Sequence, residues 1–90
     1  MIEEIEIRIS GHVQGVGFRA VVSRIAAKHS ISGFVRNLPD GRVEVRAQGT
    51  APALEKFCDE IRRNPGRAKI ERFEKKAAIL LKPYSDFAVY

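Results

Sequence analysis

The sequence has a single cysteine, Cys58, in 90 residues. One thiol forms no internal disulfide and is too few for a cysteine-based zinc site. A reducing compartment, the cytoplasm, is therefore the expectation. No apolar run approaches the roughly 18 residues that a membrane helix needs; the longest clean stretch is Ala77-Ala78-Ile79-Leu80-Leu81. The opening Met1-Ile2-Glu3-Glu4-Ile5-Glu6 lacks both a basic and an apolar leader region, so no secretory signal is expected. Long blocks of like charge and solenoid-period repeats are missing too. The two histidines, His12 and His29, stand far apart. Without clustered His or Asp ligands, neither a metal nor another cofactor is expected.

What is present suits one globular domain spanning 1–90. Hydrophobic residues make up 44% and charged residues 30% of the chain, which excludes disordered, collagen-like and coiled-coil chains. A chain of this size folds to roughly 5,300 Å² of surface, enough burial for one core and too little for two. Sixteen Lys and Arg against eleven Asp and Glu give a net charge of +5. That balance favours anionic partners: nucleic acid, a phosphorylated small molecule or acidic lipid. The basic residues are dispersed, which fits a solvated surface better than a nucleic-acid track.

Period-two alternation of Ile5, Ile7 and Ile9 with Glu6 and Arg8 predicts a half-buried strand ending at Ser10-Gly11. The glycine-rich stretch 11–17 reads as a loop. From Phe18 the pattern is helical, with Val21, Val22, Ile25 and Ala26 on one face and His29-Ser30 closing it. Residues 31–38 and 43–47 read as a hairpin around Leu38-Pro39-Asp40-Gly41-Arg42, where Pro39 presets one corner and Gly41 accepts a positive φ. Thr50 is a candidate N-cap, with Pro52 in the first turn. Leu54, Phe57, Cys58 and Ile61 then mark an amphipathic helix stopped by Asn64-Pro65-Gly66. Residues 67–76 read as a strand in which the three-residue spacing of Ile70 and Phe73 calls for a bulge. Residues 87–90 form a short final strand. The fold expected is α+β: a ferredoxin-like βαββαβ sandwich, its antiparallel sheet carrying both helices on one face, with a short extra C-terminal strand.

Chemistry concentrates in Gly11-His12-Val13-Gln14-Gly15-Val16-Gly17-Phe18-Arg19, between a strand and a helix start. N–H groups at a helix N-terminus lack intrahelical partners and carry partial positive charge. Glycines let the loop curl until successive amides point inward as an anion nest. Arg19 adds a planar cationic fork that can grip two phosphate oxygens. On spacing alone this phosphate cradle competes evenly with a plain tight turn and a surface arginine. Gly15-Val16-Gly17-Phe18-Arg19-Ala20 also fits the dinucleotide fingerprint, but its acidic partner, Asp40, falls in a hairpin turn, and the chain is too short for a doubly wound sheet. A P-loop fails because no Lys-Ser or Lys-Thr follows these glycines. Asn37, just before the turn, could orient a water through its amide. Its spacing alone favours a turn-entry asparagine bonding its own backbone.

The nine-residue run 11–19 resembles the acylphosphatase signature G-x-V-Q-G-V-x-F-R. Gly33-Phe34-Val35-Arg36-Asn37 with Asp40-Gly41 resembles the second signature of that family, G-x-V-x-N-x-x-D-G. The likeness continues through Val43-Glu44, Gly49, the second helix and Phe87, and so covers nearly the whole chain. It implies metal-independent hydrolysis of the carboxyl-phosphate bond of acyl phosphates, releasing carboxylate and inorganic phosphate. It also implies roles. Arg19 and the amides of Gln14, Gly15, Val16, Gly17, Phe18 and Arg19 bind the phosphoryl group, and Asn37 positions the attacking water. Ala20 stands where the longer hydrogenase-maturation relatives usually carry proline, which favours a small independent enzyme. A monomer is the expectation, with no nucleic-acid or membrane partner. Two rival readings remain: a ferredoxin-like nucleic-acid-binding module, which would display paired aromatics on its open sheet face, and a non-catalytic domain that binds a phosphorylated metabolite.

His12 is expected in a solvent-exposed or loop-packing role, His29 in a structural one, and Cys58 in the core. Lys56 with Glu60 is a candidate ion pair.

Overall fold

A computed structural model describes residues 1–90. The elements run β1 (Glu3–His12), α1 (Phe18–Lys28), β2 (Ser32–Asn37), β3 (Val43–Gly49), α2 (Ala51–Arg63), β4 (Lys69–Ala78) and β5 (Phe87–Val89). They build a five-stranded sheet in the order β4-β1-β3-β2-β5, the ferredoxin-like arrangement with one strand added. The accessible surface is 5495 Å², close to the scaling expectation.

Alternation along the strands decides the two faces. Ile7 and Ile9 of β1, Val35 of β2, and Val43, Val45 and Ala47 of β3 are fully buried and face the helices. From α1 they meet Phe18, Val22, Ile25 and Ala26, and from α2 Leu54, Phe57, Cys58 and Ile61. Burying a side chain of the Leu, Ile or Phe kind stabilises by roughly 1.5–3 kcal/mol. The stripe on α2 therefore outweighs any propensity term in fixing that helix. Thr50 caps α2 as expected, its hydroxyl accepting from the Ala53 N–H at 3.3 Å.

The strands differ from the sequence expectation in extent and direction, while the expected bulge is present. β1 continues past Ser10-Gly11 to His12, because Gly11 and His12 still pair with β4. The β1–β4 register shifts there: Ser10 faces Arg72 while Gly11 faces Ile70, leaving Glu71 as an extra residue. This bulge lets Ile70 and Phe73 both pack against the core despite their odd spacing. The remaining difference is one of direction. β5 pairs with β2 in parallel, so the sheet is mixed rather than wholly antiparallel. The connection from β4 passes over the open face before β5 begins: Tyr84 N–H donates to Gln48 Oε1 at 2.9 Å, and Gln48 Nε2 donates to Lys82 O at 2.8 Å. The chain thereby enters β5 from the end at which β2 begins.

The open face is a lattice of ion pairs. Glu4, Glu6 and Glu44 are all buried. Arg46 bridges Glu4 and Glu6 at 3.0 and 3.1 Å, and Arg36 and Arg8 reach Glu44 at 2.6 and 3.3 Å. Partial burial pushes the Glu6 carboxyl up, but the Lys76 hydrogen bond and the charges of Arg46, Lys76 and Arg8 outweigh it and leave Glu6 below its ordinary value.

Candidate active site

The loop joining β1 to α1 turns on two glycines. Gly15 and Gly17 both have φ 76, in the left-handed region that disfavours residues with a Cβ. Gly17 is the N-cap of α1, with φ 76 and ψ 16, and no side chain caps the helix. The first bond of α1 runs from Val21 N–H to Gly17 O at 3.2 Å. Ahead of it, no N–H of residues 14–20 donates to a carbonyl in the loops and turns. Seven consecutive donors are thus gathered at a helix N-terminus, where the peptide dipoles add a positive potential.

Phe18 anchors this start by burying its ring, 1% exposed, beside the equally buried Val13. Arg19 follows immediately. Its Nη1 donates to the backbone oxygen of Tyr90, just beyond β5, which ties the guanidinium to the far end of the chain. Loop, helix start and neighbouring strands enclose a cleft of about 240 Å³ lined by Val13, Gly15, Gly17, Phe18, Arg19, Ala20, Asn37 and Val89. Asn37 is the last residue of β2, and its exposed side chain makes no hydrogen bond within the protein. It is therefore not the self-bonding turn asparagine that spacing alone favoured, and its donors and acceptor are free to hold a solvent molecule. Arg19 is the only ionisable residue in the lining; no carboxylate, lysine or histidine reaches it.

Of the residues singled out from sequence, Gly15, Gly17, Phe18, Arg19 and Asn37 converge on this cleft. Gln14 and Val16 do not line it. Val16 packs against the core. The Gln14 side chain turns to the β2–β3 hairpin, its Nε2 donating to Leu38 O and Arg42 O, each at 2.9 Å. Those two positions have only their main-chain amides to offer the cleft. Sequence reasoning missed Val13, Ala20 and Val89 as lining and Tyr90 as the partner of Arg19. Val13 and Ala20 adjoin the motif residues, so the signal was there; Val89 and Tyr90 arrive through the parallel strand, which no local pattern announces.

The other chemical candidates fall elsewhere. His12 is exposed at the end of β1. His29 Nε2 meets Glu60 Oε1 at 2.8 Å and Lys28 reaches the same carboxylate at 3.1 Å, so α1 and α2 are laced together there. Glu60 thus pairs across the helices rather than with Lys56. Cys58 is fully buried, and burial pushes its thiol above the usual value, so it is no nucleophile. A larger hollow of about 430 Å³ lies on the open face among Glu6, Arg8, Arg42, Glu74, Lys75 and Lys76. It contains none of the unpartnered amides, and its charges are of both signs. Phe34, the one aromatic of the hairpin strands, packs against Tyr84 and Tyr90, with centroids 5.9 and 5.7 Å away. No helix is long and apolar enough to cross a membrane.

Comparison with known proteins agrees with this geometry. The family model described as Acylphosphatase matches residues 5–89. An acylphosphatase of Archaeoglobus fulgidus is 42% identical over 85 residues, covering 94% of each chain. The crystal structure of the Bacillus subtilis acylphosphatase superposes with a TM-score of 0.92 at 32% identity, covering 100% of this chain and 99% of that one. The T. kodakarensis HypF structure aligns with a TM-score of 0.89 at 33% identity, but the match takes in only 12% of that longer chain. With its glycine-cradled helix start, its arginine and its free asparagine in one cleft, and with relatives of matching length carrying that activity, the chain belongs to the acylphosphatase family and is a hydrolase acting on small acyl phosphates.

Proposed function

We propose that residues 1–90 form one self-sufficient catalytic domain whose working parts are the amides of residues 14–19, Arg19 and Asn37. The observation that carries this is the convergence in one cleft of an unpartnered run of N–H donors, a guanidinium and a free side-chain amide. The phosphoryl oxygens of the substrate sit in the amide nest, and Arg19 neutralises the charge that spreads over them in the transition state. Asn37 holds a water in line with the P–O bond to the acyl group. The water oxygen bonds to phosphorus as that bond breaks. The carboxylate leaves with the electron pair, and the proton of the water passes to a phosphate oxygen.

A protein base is not required. The leaving carboxylate is a weak base, and the cleft lining contains no carboxylate, histidine or lysine to act as one. Orientation supplies a large share of the acceleration, because misplacing a reacting atom by about 1 Å costs on the order of 10²-fold in rate. Preorganised donors supply a further ~10²–10³ each. The same donor set supports the reading that no metal is needed. A monomer is taken as the working unit, and the lone buried thiol fits a cytoplasmic setting.

The test is release of phosphate from a synthetic acyl phosphate, measured with and without chelator across pH. Turnover unaffected by chelator, competitive inhibition by inorganic phosphate, and no enzyme basic limb near neutrality are expected. Binding of phosphate without any turnover would instead favour the non-catalytic phosphometabolite domain.

A further inference from the structure

The cleft is built from two pieces that the backbone does not join. The amide nest and Arg19 belong to the β1–α1 connection; Asn37 belongs to the β2–β3 hairpin. Productive geometry depends on the gap between them, since the nest holds the phosphorus and Asn37 the water. The side chain that crosses this gap is that of Gln14. Its Nε2 donates both hydrogens, one to Leu38 O and one to Arg42 O, each at 2.9 Å. These carbonyls are the two rims of the turn: Leu38 N–H donates to Arg42 O at 2.8 Å, and Gly41 N–H to Leu38 O at 3.2 Å. Leu38 is the residue next to Asn37. One amide nitrogen is thereby saturated by two acceptors on either side of the hairpin mouth, and its chain neighbour, Gly15, lines the cleft.

We infer that Gln14 is a positioning residue: its side chain clasps the hairpin to the phosphate loop and so sets the distance from the bound phosphoryl group to the water held by Asn37. It touches no reacting atom through that side chain. The inference rests on the roles given above to Arg19, the nest and Asn37. It assigns to Gln14 an effect on the chemical step that is separable from phosphate affinity, because the nest amides, Gly15, Gly17 and Arg19 remain in place when the clasp is cut.

Glutamate distinguishes a clasp from a mere spacer. It has the shape of glutamine, but its ionised form only accepts hydrogen bonds and would face two carbonyl oxygens. Protonated, it regains one O–H donor. The experiment compares the parent with Gln14→Glu and Gln14→Met, reading kcat on a synthetic acyl phosphate, the inhibition constant of inorganic phosphate, and circular dichroism. For both variants kcat is expected to fall about 10- to 100-fold near neutral pH, the scale of a misplacement of about 1 Å. Phosphate inhibition should stay within about threefold of the parent. For Gln14→Glu alone, the ratio of its kcat to that of the parent should climb as pH falls toward and through the ordinary glutamate range, about 4.3.

Unchanged kcat in both variants overturns the clasp. So does phosphate inhibition that weakens in step with kcat, which would place Gln14 in the cradle. Loss of the folded spectrum in both variants also overturns it, since the residue would then hold up the fold rather than the site. Arg19→Ala separates the two levels. If it retains turnover, the site assignment itself has failed; if it is inactive while Gln14→Glu is normal, only the clasp has failed.

Discussion

The two most polar regions of the molecule treat their charges in opposite ways. On the open sheet face, three buried carboxylates each have cationic partners within 3.3 Å, in a lattice of arginines and Lys76. At the start of α1, a run of amides has no partner, and the neighbouring Asn37 side chain is free. Burying a polar group without a partner is costly, so folds normally satisfy such groups. Where a fold leaves donors open at a cleft, an incoming anion can satisfy them. The region with the greater charge density is internally paired, and the proposed site lies in the region with a single ionisable side chain. Much of the positive charge on the sheet is paired internally, so the net charge of +5 is not free surface charge there.

The contrast can be broken most severely at Arg19. Arg19→Ala should reduce turnover of an acyl phosphate by at least ~10³-fold, with phosphate binding lost and the melting temperature little changed. An active variant would remove the guanidinium from the mechanism. Next in size is Asn37→Ala, expected to lower kcat on the order of 10²-fold while phosphate inhibition holds. Parallel losses in both constants would make Asn37 part of the cradle.

Smaller effects sharpen the other side. Glu44 is 3% exposed and receives Arg36 and Arg8. Glu44→Ala should destabilise the fold by about 1–3 kcal/mol, less than for a wholly buried pair because Arg36 and Arg8 keep contact with water. Denaturant midpoints would report this, and kcat per folded molecule should be unaltered. The mildest effect is at Glu60. Its hydrogen bond from His29, then that from Lys28, holds the carboxyl below its ordinary value. The native state thus favours the ionised form. Its contribution is complete above the ordinary carboxylate range and is lost as pH falls through the lowered native value. Parent and Glu60→Gln stability curves should therefore converge at acid pH; a constant offset would rule out this linkage.

Much of this was legible in the sequence because the determining interactions are local or periodic. Alternation marked β1 and the hairpin, and the stripe Leu54, Phe57, Cys58 and Ile61 marked α2. The awkward spacing of Ile70 and Phe73 even foretold the bulge. Within the site, glycine spacing showed where a loop could curl, and the family resemblance favoured a cradle over an ordinary turn. What stayed hidden depends on contacts distant in sequence. The parallel direction of β5 follows from a connection that docks on Gln48, and nothing in residues 87–90 encodes it. The partners of the Gln14 side chain lie 24 and 28 residues away. Glu60 has a lysine one turn away on its own helix, yet it takes partners from α1 because packing brings those closer.

The bond between Arg19 and Tyr90 spans 71 positions of the chain. Closing a loop of that length carries an entropic cost that grows only slowly with length, and the parallel pairing of β5 with β2 accompanies it. The guanidinium is thus steadied by the segment just beyond β5, whose parallel seat beside β2 is set by contacts far from it in sequence.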